Sequence, residues 1–230
     1  MDRKMAIVSG ASRGIGLEFT RQLLQKECFV VATARNLAND ELKNLTQEFP
    51  DQLQLEVLDV GDDRSTESFT KKLKISHLDL LISNAGIIGG ENTNLKNASS
   101  KDLLESFNIN SIGPLRLARN LLPLLEKASH PIVANITSLM GSIADNKSGG
   151  YYAYRMSKAA LNMFNKSFSI DFPKITSVVL HPGWVKTDMG GPNAHITSER
   201  SVSRMLSIIE NLKSKDSGKF FSFDGRELPW

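Results

Sequence analysis

Short apolar runs separated by segments of helical periodicity recur along this chain, and that alternation restricts its fold more than any other feature. The runs occupy Met5–Ser9, 28–34, 53–58, 78–83, 132–137, 177–181 and 219–223. Each is the length of a strand; most are largely apolar, as in strands buried on both faces, while 53–58 alternates apolar with polar residues. Between them, 15–26 carries Ile15, Phe19, Leu23 and Leu24 at helical spacing. The segment 153–172 puts Leu161, Phe164 and Phe168 on one face, and 198–212 is a further amphipathic helix. Asn39 before Asp40 and Glu41 is a helix cap, and Ser99 with Asp102 has capping-box spacing. The polar stretches 89–100 and 145–150 read as surface loops. Strand–helix alternation of this kind predicts a parallel sheet covered by helices on both faces. With no repeat and no linker, residues 1–230 form a single α/β domain: a doubly wound, Rossmann-type, seven-stranded parallel sheet.

Composition removes several functional classes. The net charge is +3, with Lys and Arg scattered rather than clustered, so the chain lacks a nucleic-acid footprint. Its single cysteine, Cys28, lies in an apolar run, excludes an intrachain disulfide and fits a reducing compartment. No apolar run reaches the ~18 residues of a membrane span, and the N-terminus has no signal-peptide pattern. The expectation is a cytoplasmic protein without a membrane partner. His77, His130 and His195 share no metal-ligand spacing, and no metal is expected.

The first run enters Ser9-Gly10-Ala11-Ser12-Arg13-Gly14-Ile15-Gly16, and a helix follows. Glycines here permit a tight turn and close approach to a pyrophosphate, while the helix N-terminus offers free N–H groups and a positive dipole end. The spacing is G-x-x-x-G-x-G rather than the commoner G-x-G-x-x-G. About twenty residues on, where an acid would bind the ribose 2′-hydroxyl of NAD, stands Arg35, which favours a 2′-phosphate. Arg13 lies on the same side, and two cations point to NADP(H). Asp59, followed by Val60, ends the third run; it could accept from the adenine amino group or cap the next helix. The small residues of Asn84-Ala85-Gly86 would let the chain pass close to the cofactor.

Hydride transfer to a carbonyl needs a proton donor beside the oxygen. Tyr154 and Lys158 stand four apart on a predicted helix and therefore share a face. A lysine ammonium beside a tyrosine favours its phenolate. Tyr151 with Arg155 is a rival pair. Ser138, ending the fifth run at the carboxyl edge where open α/β sheets bind ligands, can hold a carbonyl oxygen beside the tyrosine.

The glycine motif, Asn84-Ala85-Gly86, Ser138, Tyr154-x-x-x-Lys158 and His181-Pro182-Gly183-Trp184-Val185-Lys186-Thr187 come in one order. In that order the chain resembles the short-chain dehydrogenase/reductase family over nearly its whole length. Ser138-Leu139-Met140-Gly141-Ser142, Gly150-Tyr151-Tyr152-Ala153-Tyr154-Arg155 and the ending from Asp224-Gly225 to Pro229-Trp230 resemble its C-factor/sniffer-like carbonyl reductases. The resemblance implies an oxidoreductase acting on a carbonyl or alcohol. Tyr154 would be the general acid/base, Lys158 would lower its pKa and hold the nicotinamide ribose, and Ser138 would position the substrate. Asn110 would complete a proton relay through water; without the family it reads as a polar helix residue before a Gly113-Pro114 break. Pro182, Gly183, Val185 and Thr187 would lie along the nicotinamide, and His181 is expected to be structural. Ile88, Met140, Trp184 and Met189 follow strand ends and are expected to line an apolar substrate pocket, with Trp184 setting its width.

Two departures stand out. Ser138 and Tyr154 are 16 residues apart, longer than is usual, with the excess in loop 145–150. The segment between Thr187 and Ser198 is short for a substrate lid and implies an open pocket. Apolar character beyond one face in 115–125 and 159–172 suggests a homodimer or homotetramer. C-factor-like relatives also leave open a signalling protein that binds NADP(H) with little turnover, or an NADP-sensing scaffold.

Overall fold

The computed structural model describes residues 3–90 and 94–230; Met1, Asp2 and positions 91–93 of the polar loop lie outside the described residues. All seven strands form: β1 (Met5–Ser9), β2 (Phe29–Ala34), β3 (Leu53–Val57), β4 (Leu80–Ser83), β5 (Ile132–Ile136), β6 (Thr176–His181) and β7 (Phe220–Ser222). They pair in parallel throughout, in the order β3-β2-β1-β4-β5-β6-β7. The direction of winding reverses between β1 and β4, and the carboxyl ends of those two strands therefore border a crevice.

The helices are α1 (Gly14–Gln25), α2 (Asp40–Glu48), α3 (Asp63–Lys72), α4 (Ser100–Phe107), α5 (Gly113–Leu125), α6 (Tyr152–Asp171) and α7 (Ser198–Asn211). Strand alternation divides them into two layers. Ala6 and Val8 of β1 join Val30 and Ala32 of β2 in a core closed by Phe19, Leu42 and Met205 from α1, α2 and α7. Ile7, Val31, Leu81 and Val133 face the other way, onto Phe69, Leu117, Leu121 and Phe168 from α3, α5 and α6. No helix among the described residues is long and apolar enough to cross a membrane.

The predicted caps form. Asn39 accepts from the Leu42 N–H and Ser99 from the Asp102 N–H. Two expectations are corrected. Asp59 does not cap α3; Asp62 does, accepting from the Arg64 N–H. The chain also does not break at Gly113-Pro114. One turn of π-helix, Asn108–Ile112, joins α4 directly to α5. Pro114 has no N–H to give the carbonyl four residues earlier, which is Asn110, so the regular α-helical ladder is interrupted at this point. The loop 89–100 contains a 3-10 turn, Leu95–Asn97, and its last residue already begins α4.

The glycine turn is fixed by protein contacts before any ligand is considered. Gly10 has φ +69°, and a Cβ on it would lie 2.8 Å from Ala85 Cα. A Cβ on Gly16 would collide with the Gly10 carbonyl oxygen. Asn84 Nδ2 donates to the carbonyls of Ser9 and Gly10, at 3.1 and 3.0 Å. Ser9 Oγ accepts from the N–H groups of Asn84 and Ala85. The two motifs that resemble cofactor-binding sequences thus brace each other across the switch point.

Candidate active site

A cleft of about 540 Å³ opens at the switch point. Gly10, Ser12, Arg13, Gly14, Ile15, Arg35, Asp59, Val60, Asn84, Ala85 and Gly86 line it. From the carboxyl-edge side come Tyr154, Lys158, Pro182, Thr187 and Met189. Its volume falls within the ~300–1,000 Å³ of small-molecule and cofactor sites. Ala34, Asn39, Leu58, Ile87 and Lys186 also face it, together with Glu41 and Asp188. Gly16, Gly183 and Val185 lie outside the lining, beneath the turns they shape. Ser138, Asn110, Ile88, Met140 and Trp184 are likewise not among the lining residues, and Ser138 meets the cleft through its hydrogen bond to Tyr154.

Lys158 is the electrostatic centre. It is 4% exposed, and its Nζ donates to the Ile136 carbonyl at 2.9 Å. Nζ stands 5.7 Å from the centre of the Tyr154 ring. Burial lowers the Lys158 pKa to about 8. Burial also pushes the Tyr154 phenol above its ordinary value, against a hydrogen bond with Ser138 that acts to lower it. Near pH 7 Tyr154 is therefore held as the neutral phenol.

Three further groups hold this pair. Asn110 is wholly buried; its Oδ1 accepts from the Ile87 N–H, and its Nδ2 donates to the Ile87 carbonyl and to Ser157 Oγ. Ser157 Oγ donates in turn to the Tyr154 carbonyl. Gly86 lies beside both catalytic candidates: a Cβ there would be 3.2 Å from Asn110 Oδ1 and 3.5 Å from Lys158 Nζ. Ser138 Oγ accepts from the Met140 N–H, capping the 3-10 turn Leu139–Gly141.

This geometry joins a glycine turn opening a helix, a half-buried tyrosine with a buried lysine behind it, and a serine at a strand end. A family model described as short chain dehydrogenase matches residues 4–197. The chain belongs to that family. Similar to this short-chain dehydrogenase is the C-signal of Myxococcus xanthus, 46% identical over 165 residues, covering 71% of the chain and 99% of that protein. Among solved structures, an NADPH-bound carbonyl reductase from chicken fatty liver superposes with TM-score 0.92 at 36% identity, covering 100% of this chain and 95% of that one. The carbonyl reductase Sniffer of Drosophila melanogaster gives TM-score 0.92 at 32% identity, with both chains fully covered.

Other side chains of this dehydrogenase do work that the sequence reading missed or placed differently. Tyr151 and Arg155 are not a second catalytic pair. Tyr151 precedes α6 in the left-handed region, φ 48° and ψ 42°, and is exposed. Arg155 donates to the carbonyls of Gly149 and Met140 and to Ser148 Oγ, folding loop 145–150 against the Ser138 segment. The Trp230 carbonyl accepts from Ala144 N–H and Ser142 Oγ, tying the C-terminal residues to the same segment. Asn162 Nδ2 donates to the Gly141 carbonyl, and its Oδ1 accepts from Thr137 Oγ1. A legible signal existed for Ser157, Asn162 and Asn165: polar residues within the apolar stripe of a helix demand partners.

Arg13 pairs with Asp188 across the cleft at 2.8 Å, both largely exposed, while Arg35 is exposed at the end of β2. Trp184 is half-exposed; its Nε1–H donates to the Gly190 carbonyl at 2.7 Å and its ring meets His195 edge-on. It braces the loop carrying Met189. His181 is largely buried and its pKa falls to about 4, chiefly through burial, so it is neutral near pH 7. No cluster of three or more metal-ligating side chains occurs among the described residues.

The Lys158 shift carries a stability consequence. Between pH 8 and 10.5 the native amine has lost its proton while the unfolded chain still binds one, so stability rises with pH through that window. The full effect is on the order of 3 kcal/mol. Urea denaturation should show Lys158→Met more stable relative to wild type at pH 7 than at pH 10; a pH-independent difference would refute the buried-ammonium description.

Proposed function

We propose that this short-chain dehydrogenase is an NADP(H)-dependent carbonyl reductase with Tyr154, Lys158, Ser138 and Asn110 as its working set. The observation that carries the reading is geometric: Tyr154, hydrogen-bonded to Ser138, lines a cleft of nucleotide size with the buried Lys158 Nζ 5.7 Å from its ring centre. A neutral phenol is the form required for proton delivery to a carbonyl oxygen. The residues present fit the cofactor: an α1 N-terminus open to the cleft, small side chains at Asn84-Ala85-Gly86, and Arg35 at the adenosine end. When bound, NADPH supplies the hydride.

The chain's own groups supply the rest. Ser138 Oγ and the Tyr154 hydroxyl together hold the substrate oxygen, and Tyr154 gives its proton to that oxygen as charge develops there. Lys158 stabilises the phenolate left behind and reaches the ribose side of the cleft. The Asn110 amide is committed to Ile87 and Ser157. Its contribution to a water relay is therefore its main-chain carbonyl, to which Pro114 offers no N–H. Thr187, with Pro182, borders the nicotinamide end. Arg13 exchanges Asp188 for the 2′-phosphate shared with Arg35; an exposed ion pair is a weak competitor for a charge-assisted phosphate contact.

The substrate is a carbonyl compound with a hydrophobic body. Met189 lines the cleft, and Ile143, Tyr151 and Trp184, on the segments that follow Ser138, precede Tyr154 and precede Thr187, are exposed. Ile88 and Met140 complete the apolar side in this reading, with Trp184 acting through the loop it braces. Similarity to a C-signal favours a second reading, an NADP(H)-binding signalling protein with little turnover. The complete Tyr–Lys–Ser–Asn set supports turnover. Met156, Met163 and Ile170, seven residues apart on α6, are exposed, as is Leu115 on α5. This stripe supports a two-fold dimer through α5 and α6, alone or within a tetramer; light scattering showing a monomer at micromolar concentration would count against it.

NADPH oxidation with a panel of aldehydes, ketones and quinones should show turnover, and the absence of any would favour the signalling reading. Tyr154→Phe should lower kcat by roughly 10²–10⁴ with NADPH still bound; near-normal turnover would remove Tyr154 from its role.

Wild-type protein should bind NADPH more tightly than NADH, and Arg35→Asp should reduce or reverse that preference. Titration of both cofactors into both proteins checks this, with equal wild-type affinities as the refuting result.

A further inference from the structure

Arg116 places a guanidinium among the core-facing residues of an otherwise apolar helix face. It lies on the inner face of α5 with 6% exposure. A guanidinium removed from water costs several kcal/mol unless its donors are met, and apolar replacement of buried ion pairs is often neutral or stabilising. A stability role alone therefore accounts poorly for it.

Its partners converge on one short turn. Nη1 donates to the Val60 carbonyl, Nη2 donates to Asn108 Oδ1 at 3.2 Å, and Nε stands 2.9 Å from Asp63 Oδ1. Asn108 Nδ2 donates to the Gly61 carbonyl at 2.8 Å. The Asp59 N–H donates to Ser65 Oγ, and Asp59 Oδ1 accepts from the Gly61 N–H at 2.8 Å. Gly113, the first residue of α5, lies directly under Val60, where a Cβ would sit 3.1 Å from Val60 Cγ2. Asp59-Val60-Gly61 is thus held from α3 on one side and from the π turn and α5 on the other. Asp59 and Val60 form the cleft wall at the end bordered by Arg35.

We propose that Arg116 is a positioning residue for the adenosine half of the nucleotide, fixing the Asp59-Val60 wall through the Val60 carbonyl. The proposal rests on the reading that the adenine lies against that wall. Arg116 touches no part of the nucleotide and acts only through the turn. A fixed wall lowers the ordering cost of binding, whereas a loose one must be organised each time. The consequence is specific: Arg116 matters for a cofactor carrying adenine and not for one without it.

Reduced nicotinamide mononucleotide, which has the nicotinamide, its ribose and one phosphate but no adenine, supplies the discriminating probe. Arg116→Met should weaken NADPH binding roughly tenfold, the scale of ordering about one backbone residue at each binding event. Turnover supported by the mononucleotide should keep its wild-type kcat/KM. Arg116→Lys, which retains charge but not the fork, should recover only part of the NADPH affinity. Unchanged NADPH affinity in Arg116→Met, or parallel losses with both cofactors, would overturn the proposal. Should Arg116→Met not fold, Asn108→Ala removes the Gly61 strut and is expected to shift NADPH affinity the same way; equal effects on both cofactors there would also overturn it. Val60→Trp separates the proposal from its premise by crowding the wall directly. If that variant binds NADPH normally, the adenine is elsewhere and the underlying reading fails. If it binds weakly while Arg116→Met does not, only the positioning role fails.

Discussion

A lysine ammonium held out of water behind a tyrosine is the constraint on which this site depends. Lys158 cannot remain charged there without an acceptor, and the Ile136 carbonyl at the carboxyl end of β5 supplies one at 2.9 Å. That contact fixes the rotation of α6 against the sheet. Tyr154, one turn earlier, is then set at the cleft, and Ser138, two residues beyond Ile136, lies beside it. Cost and function have one origin: the environment that lowers the Lys158 pKa to about 8 also keeps the Tyr154 phenol protonated.

Helix α6 is consequently more than a carrier of two catalytic candidates. Ser157 receives Asn110 from the π turn, Ser111 Oγ donates to the Ser157 carbonyl, Asn162 holds Gly141 and Thr137, and Asn165 bonds Asn135 and Ser177. Buried polar groups of this kind add little net stability when satisfied but penalise every alternative registry. Arg155 and the Trp230 carbonyl extend the same cross-linking to the loop before the helix. The 16-residue interval between Ser138 and Tyr154 is thereby a folded segment with fixed ends. The nucleotide end follows a parallel logic, with Asn84 and Ser9 tying the glycine turn to β4 while Arg116 and Asn108 tie the Asp59-Val60 turn to α5.

The sequence by itself determined the α/β class, the seven strands within a residue or two, and the caps at Asn39 and Ser99, because these follow from local periodicity and short-range hydrogen bonds. It also brought Gly10, Arg35, Asn84, Tyr154, Lys158 and Thr187 to one edge, since parallel strands place all their carboxyl ends together. Only the tertiary structure decided which polar groups meet. Asp62 rather than Asp59 caps α3, and the chain passes through a π turn at Asn108–Ile112 into α5, with the Asn108 and Asn110 side chains bonded to distant Gly61, Ile87 and Ser157. Arg13 engages Asp188, 175 residues away, and Arg155 turns to the loop instead of Tyr151. Arg116 and Trp230 carried no local mark of their roles. The Val60 carbonyl lies 56 residues from Arg116, and the Trp230 partners lie 86 and 88 residues away; hydrogen-bond complementarity across such separations exists only after the sheet has brought the segments together.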